Sequence, residues 1–249
     1  MKSTKTVGII GGLGPVTGCT FCLNINNTIK TKTKKQAHLL LDNLPISCQA
    51  EENIIKGGSS REHFTLIKKA VERFNLLNVD CIAIPCNTVH IFLERLRKIS
   101  IIPILSIPEE CAKKCEEEKF HKVGLLGSTK TVTQKLHEKE LQKKNIQLIL
   151  PNKKNQQFID NCILRIINNK CFSKDKSALL QISRNLQNQG AQAIILGCTN
   201  LPLLLSQKSS LSKRDPLSKK DPLSKKDIPL PFINTLEVLE EKVVSILSS

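Results

Sequence analysis

Short apolar runs alternate with amphipathic stretches along nearly the whole chain, and this alternation limits the possible folds more than any other feature. The runs at 6–10, 37–41, 79–84, 101–107, 122–126, 146–150, 191–196 and 230–233 read as strands. The stretches at 16–29, 60–77, 89–98, 109–118, 132–144, 156–168, 176–189 and 235–247 read as helices. Repeated strand–helix order implies an α/β fold, with mainly parallel sheets flanked by helices. In such sheets, sites form beyond the carboxyl ends of the strands. There is no Trp or Tyr and only 8 Phe, so aliphatic side chains must fill the core, as buried parallel strands allow.

The two halves of the sequence echo each other. Residues 79–86 read VDCIAIPC and residues 191–198 read AQAIILGC, each an apolar run ending in Cys. Asn-Thr follows the first and Thr-Asn the second, and VGIIGG near the start parallels VGLLGS at 123–128. The echo predicts two pseudo-symmetric domains facing each other across a cleft that holds the active site. Residues 1–103 plus 228–249 are expected to form the first domain and 104–207 the second. Residues 208–227 are expected to be a mobile basic insertion, because LSKRDPLSKKDPLSKKD carries too little apolar surface to offset the entropy of ordering.

Composition excludes several function classes. No apolar run approaches the ~18 residues a membrane span needs, and the opening MKSTKTVGIIGGLGP does not read as an export signal. A cytoplasmic protein with reduced thiols is therefore expected from its 10 Cys. The net charge of +16 could attract nucleic acid, but the Lys residues are dispersed and stacking aromatics are nearly absent. Nucleic acid is not an expected partner, nor is a membrane.

The chemistry concentrates at the two strand-end cysteines. In IPCNTVH, Cys86 sits in the turn above the sheet edge, and the following helix, starting near Thr88, directs its dipole and free amides at a thiolate or carboxylate. LGCTNLP repeats the arrangement at Cys198. One Cys is usually a small hydrophobe, but two at matched strand ends, each flanked by Asn and Thr, suit paired acid–base work. Racemisation needs that pairing: one thiolate removes the Cα proton from one face and one thiol returns a proton to the other.

GIIGGLGP is a Gly-rich turn after a strand, yet it does not match the dinucleotide pattern G-x-G-x-x-G. Gly12 and Gly14 are expected to present amides to a small carboxylate. Ser128, Thr129 and Thr131 in GLLGSTKTV are expected to grip an anion at a helix start. The CxxC at Cys19 and Cys22, and the i, i+4 pair Cys111 and Cys115, lack partners for a zinc site and are expected to be buried helix thiols. His90 reads as a structural polar group rather than a base. No metal and no cofactor are expected.

The motifs GIIGGLGP, IPCNTVH and LGCTNLPLLL, in that order, resemble the aspartate/glutamate racemase family, in its aspartate-racemase-like branch that works without pyridoxal phosphate. The resemblance covers nearly the whole chain apart from the repeat. It implies an amino-acid racemase acting on aspartate or glutamate. Cys86 and Cys198 would be its acid–base pair. Asn87, Thr88, Thr199 and the 128–131 turn would hold the α-carboxylate and amino groups, and a homodimer would be common for such enzymes. The chain departs from the family in three places. Residues 45–55 lack the Arg that would grip a side-chain carboxylate, Lys170 is displaced from the expected Lys, and Asn200 stands where Glu is usual. A related Cys-pair enzyme, of hydantoin racemase or maleate isomerase type, and a non-catalytic binding relative are the alternatives.

Overall fold

The computed structural model of the 249-residue chain describes residues 5–14, 16–168, 170, 172–205 and 230–249. The insertion expected at 208–227 and Pro15 of the Gly-rich turn lie outside the described residues.

The first half runs β1 (Thr6–Gly11), α1 (Thr17–Thr33), β2 (His38–Asn43), α2 (Cys48–Ile55), α3 (Arg61–Leu77) and β3 (Cys81–Ala83). A 3₁₀ turn over Thr88–Phe92 then leads into α4 (Leu93–Ile99). The second half runs α5 (Ile107–Glu117), β4 (Lys122–Gly127), α6 (Thr129–Thr133), α7 (Leu136–Gln142), β5 (Gln147–Ile149), α8 (Lys153–Ile167), α9 (Ser173–Asn188), β6 (Ala193–Gly197) and α10 (Pro202–Leu205). The chain closes with β7 (Phe232–Asn234) and α11 (Thr235–Ser248). Two parallel sheets result, ordered β2-β1-β3 and β5-β4-β6-β7, flanked by helices as the alternation predicts.

The sequence echo has a packing counterpart. Gly8 of VGII and Gly124 of VGLL occupy equivalent strand positions. A Cβ at Gly8 would lie 2.9 Å from the Phe74 ring of α3, and one at Gly124 would lie 2.9 Å from Leu186 of α9. In both halves a missing side chain lets one covering helix press a large residue onto the central strand.

The apolar core divides by sheet face rather than by half. Val7, Ile9, Cys81, Ala83, Val123, Leu125, Ala193 and Ile195 join one cluster. Their strand neighbours Ile10, Ile82, Ile84, Leu126, Ile194 and Leu196 join the other. This is the period-two alternation of a strand buried on both faces.

Several local expectations needed correction. The strand expected over 101–107 shrinks to a single bridge, Ile82 to Ile104, flanked by the Pro103 carbonyl accepting from the Ile82 N–H. The two prolines explain this: Pro103 has no N–H to donate, and Pro108 starts α5 under a Ser106 cap. The helix expected from Val89 opens instead as the 3₁₀ turn, and the helix expected over 132–144 breaks at Lys135, which has a left-handed φ of 54°. Sequence reading missed α2 and α10 altogether. The C-terminal segment serves both halves: β7 pairs with β6 in the second sheet, while α11 packs against α1 and α5. The division at 103/104, with α11 counted with the first half, is therefore a proposal from which β7 departs.

Candidate active site

Cys86 follows β3 and Cys198 follows β6, at the carboxyl ends of strands in the two different sheets. Both thiols are partly buried and line the same cavity. The first half contributes Leu13, Glu51, His63 and the turn 87–89, and the second contributes Ser128, Ile163, Thr199 and Asn200. The space open to water-sized groups is about 30 Å³, within a small, partly open pocket that holds both sulfurs.

Each thiol faces backbone amides of the turn that follows it. Burial, reinforced by Cys198 and Glu51, pushes the Cys86 thiol up to about 12, against the downward pull of the Val89 and Thr88 amides. Burial also raises Cys198, opposed by the backbone and side-chain N–H groups of Asn200 and the amide of Leu201. Both sulfurs are thus neutral thiols in the empty cavity, each with donors already aimed at the position of a thiolate. The amides at Cys86 come from the 3₁₀ turn rather than from the expected α-helix.

Two residues at Cys198 went unassigned from sequence. The Asn200 side-chain N–H reaches the Cys198 sulfur at 4.0 Å, and Thr17 donates its hydroxyl to Asn200 Oδ1 at 3.0 Å. Thr17, at the start of α1, thereby fixes which end of the amide meets sulfur. Gly14, with φ at +150°, passes close by; a Cβ there would lie 3.1 Å from Thr17 Oγ1 and 3.2 Å from Asn200 Nδ2.

The expected binding residues divide into those the fold brings to the thiols and those it turns elsewhere. Thr88, Ser128 and Thr131 form one buried hydroxyl cluster, with Thr88 to Ser128 and Ser128 to Thr131 both at 3.0 Å. Thr88 and Ser128 also line the cavity. Thr199 lines it as well, and its hydroxyl donates to the Pro85 carbonyl at 3.2 Å, tying one Cys turn to the other. Thr129 instead gives both its N–H and its hydroxyl to Asp160, outside the cavity. Gly12 answers a packing need: its φ is +76°, and a Cβ would lie 2.1 Å from the Leu44 carbonyl oxygen.

Asn87 reaches the cavity wall, but its amide is engaged on both sides. Asn87 Nδ2 donates to Thr235 Oγ1 at 2.8 Å, and Thr235 donates onward to the Leu196 carbonyl at 2.8 Å. Asn87 Oδ1 therefore accepts from His137 Nε2 at 2.9 Å. This chain joins α7, the Cys86 turn, α11 and β6. His90 has a structural role too. Its Nε2 accepts the Ile107 amide at 3.1 Å, so Nδ1 carries the proton and donates to the Cys86 carbonyl at 2.8 Å. Burial pushes His90 down to about 4, so the ring is neutral.

Cys86, Cys198 and the helix cysteines Cys19, Cys22, Cys111 and Cys115 are free thiols. Cys111 and Cys115 are buried as expected, but Cys19 is exposed and Cys22 only partly buried, because α1 turns this CxxC toward its outer face. No group of three or more His, Cys, Asp and Glu side chains among the described residues is arranged to hold a metal. No described helix is long and apolar enough to cross a membrane.

Two thiols at strand ends of the two different sheets thus line one cavity between paired α/β halves. The family profile described as Asp/Glu/Hydantoin racemase matches residues 10–217, and the chain belongs to that family. Membership makes it a racemase-type isomerase acting on small amino-acid substrates. Among curated relatives, the broad specificity amino-acid racemase RacX of Bacillus subtilis is 25% identical over 212 residues, 82% of this chain and 89% of that one. Among solved structures, the aspartate racemase of Picrophilus torridus superposes with a TM-score of 0.72 at 21% identity, covering 98% of this chain and 94% of its own. An aspartate racemase homologue from Pyrococcus horikoshii gives 0.72 at 20% identity, covering 99% and 100%. At such identities the structures establish the shared fold.

Proposed function

We propose that the protein is a cofactor-independent amino-acid racemase in which Cys86 and Cys198 exchange the Cα proton from opposite faces of the substrate. The observation that carries this reading is the shared cavity, with one thiol from each half and amides directed at both sulfurs. In the forward direction one thiolate takes the Cα proton while the other thiol delivers its own to the opposite face, and the reverse reaction exchanges the roles. Thr88 and Ser128 supply neutral donors for the α-carboxylate, where the carbanion's charge accumulates. The incoming ammonium group is a cation beside two raised thiols, and it favours the thiolate that the empty cavity disfavours.

Aspartate or glutamate as substrate is the narrower reading, supported by the family description and by the aspartate racemases of the same fold. RacX, named for broad specificity, argues for a wider panel. Free thiols in both roles fit a reducing cytoplasm, and a homodimer fits the family resemblance.

The test is Cα–H loss in D₂O, followed by NMR with L-Asp, L-Glu and other amino acids at high enzyme concentration. Exchange with at least one is expected; none with any would refute the racemase reading. Cys86→Ser and Cys198→Ser should each lower racemisation by roughly 10²–10⁴-fold, since a serine hydroxyl is a far weaker acid. Unchanged activity in either variant would overturn the paired roles.

A further inference from the structure

The same cavity holds two ionisable groups that the two-thiol reaction does not use, Glu51 and His63. Glu51, on α2, lines it together with both cysteines. No Lys or Arg lines the cavity, and no hydrogen bond or ion pair holds the Glu51 carboxylate among the described residues. The neighbouring cation Lys130 is engaged elsewhere: its ammonium donates to the Gly57 and Gly58 carbonyls at 3.2 and 3.1 Å. On the same wall His63 is 2% exposed, and its Nδ1 is buried without a partner. Burial lowers the His63 pKa, so the ring adds no positive charge. Ile54, Ile55, Ile163 and Ile167 complete an apolar wall.

The cavity therefore offers a carboxylate close enough to raise both thiols, its own pKa raised by burial and with no hydrogen-bond partner among the described residues, together with a neutral imidazole with an unused nitrogen and aliphatic surface. We propose that Glu51 is a specificity-determining residue that disfavours a second carboxylate, so that, against the narrower aspartate or glutamate reading, the substrate is a monocarboxylic amino acid with a neutral or cationic side chain. The proposal rests on the racemase reading. An acidic side chain would lie against a like charge in a mostly apolar pocket with no Lys or Arg among its lining residues to balance it. An ammonium on an alkyl stem would meet an unpaired carboxylate beyond an apolar wall, and a neutral side chain would meet neither penalty.

The experiment compares kcat/KM for L-lysine, L-methionine, L-aspartate and L-glutamate in the wild type and in Glu51→Gln. In the wild type, lysine and methionine are expected to exceed both dicarboxylates by at least tenfold. In Glu51→Gln, the lysine-to-aspartate ratio is expected to fall by at least tenfold, with circular dichroism unchanged. Aspartate or glutamate turned over as fast as either monocarboxylate, or a ratio unmoved by the substitution, overturns the proposal. A wild type that exchanges none of the four and no other amino acid of the wider D₂O panel refutes the racemase reading instead. Calorimetric titration with the same four amino acids then decides on Glu51: lysine bound more tightly than aspartate supports it, and the reverse order overturns it.

Discussion

Asn200 donates its side-chain N–H to the Cys198 sulfur, with Thr17 holding the amide in place. A donor to sulfur stabilises thiolate over thiol, so its removal raises the thiol pKa. Asn200→Ala is therefore expected to move the rising limb of the pH profile of kcat/KM to higher pH. At neutral pH it should lower kcat/KM by roughly tenfold, the scale of a hydrogen bond to a charged group. A profile superimposable on the wild type would assign Asn200 to packing alone. At this scale the sequence disclosed the two cysteines, because an apolar run ending in Cys recurs with Asn and Thr beside it. It did not disclose Thr17, which holds Asn200, or Glu51, which lines the cavity, because both come from elements distant in sequence. Thr129 and Gly12 illustrate the opposite failure: both lie in a suggestive motif, yet a partner outside that motif, Asp160 or Leu44, claims them.

Between the residue and the molecule, α2 decides access. It covers the cavity from the first half with Glu51, Ile54 and Ile55, while α8 covers it from the second with Ile163 and Ile167. The chain leaves α2 through Gly57, at φ +89°, and Lys130 of α6 fastens Gly57 and Gly58 by their carbonyls. Lys130→Ala is expected to loosen this cover, raising KM by roughly three- to tenfold with a smaller effect on kcat. Site-resolved iodoacetamide labelling should then reach Cys86 and Cys198 faster while the rate at exposed Cys19 stays the same. Equal labelling rates in variant and wild type would remove the latch role. Sequence periodicity missed α2 because eight residues hold only two turns, and Ala50, Ile54 and Ile55 give a faint apolar stripe. The usable signal was the cap: Ser47 accepts from the Ala50 amide.

The whole molecule carries a store of buried neutral thiols. Burial raises Cys81 to about 11 and Cys115 to about 12, from an ordinary 9.0, and raises Cys111 well above that value. A thiol whose folded pKa exceeds its unfolded one stabilises fully below the unfolded pKa and loses that contribution as pH rises toward the folded value. Stability should therefore hold to about pH 9 and fall above it, by about 1 kcal/mol per buried thiol at pH 10. Loss of Lys charge over the same range relieves repulsion in a chain of net charge +16 and acts the other way. Guanidinium midpoints at pH 7.5 and pH 10 separate the two effects, since Cys115→Ala should reduce the alkaline fall and leave the charge effect intact. An equal fall in the variant would count against the thiols.

The two cores bear on how such a protein can change over time. Each cluster takes side chains from both sheets, Val7 with Val123 in one and Ile10 with Leu126 in the other. A recombination that exchanged one half for that of a distant homologue would put unmatched side chains into both clusters at once. The echo between the halves therefore no longer marks interchangeable parts. Drift in one half is constrained by the other, and the two are inherited as a single unit.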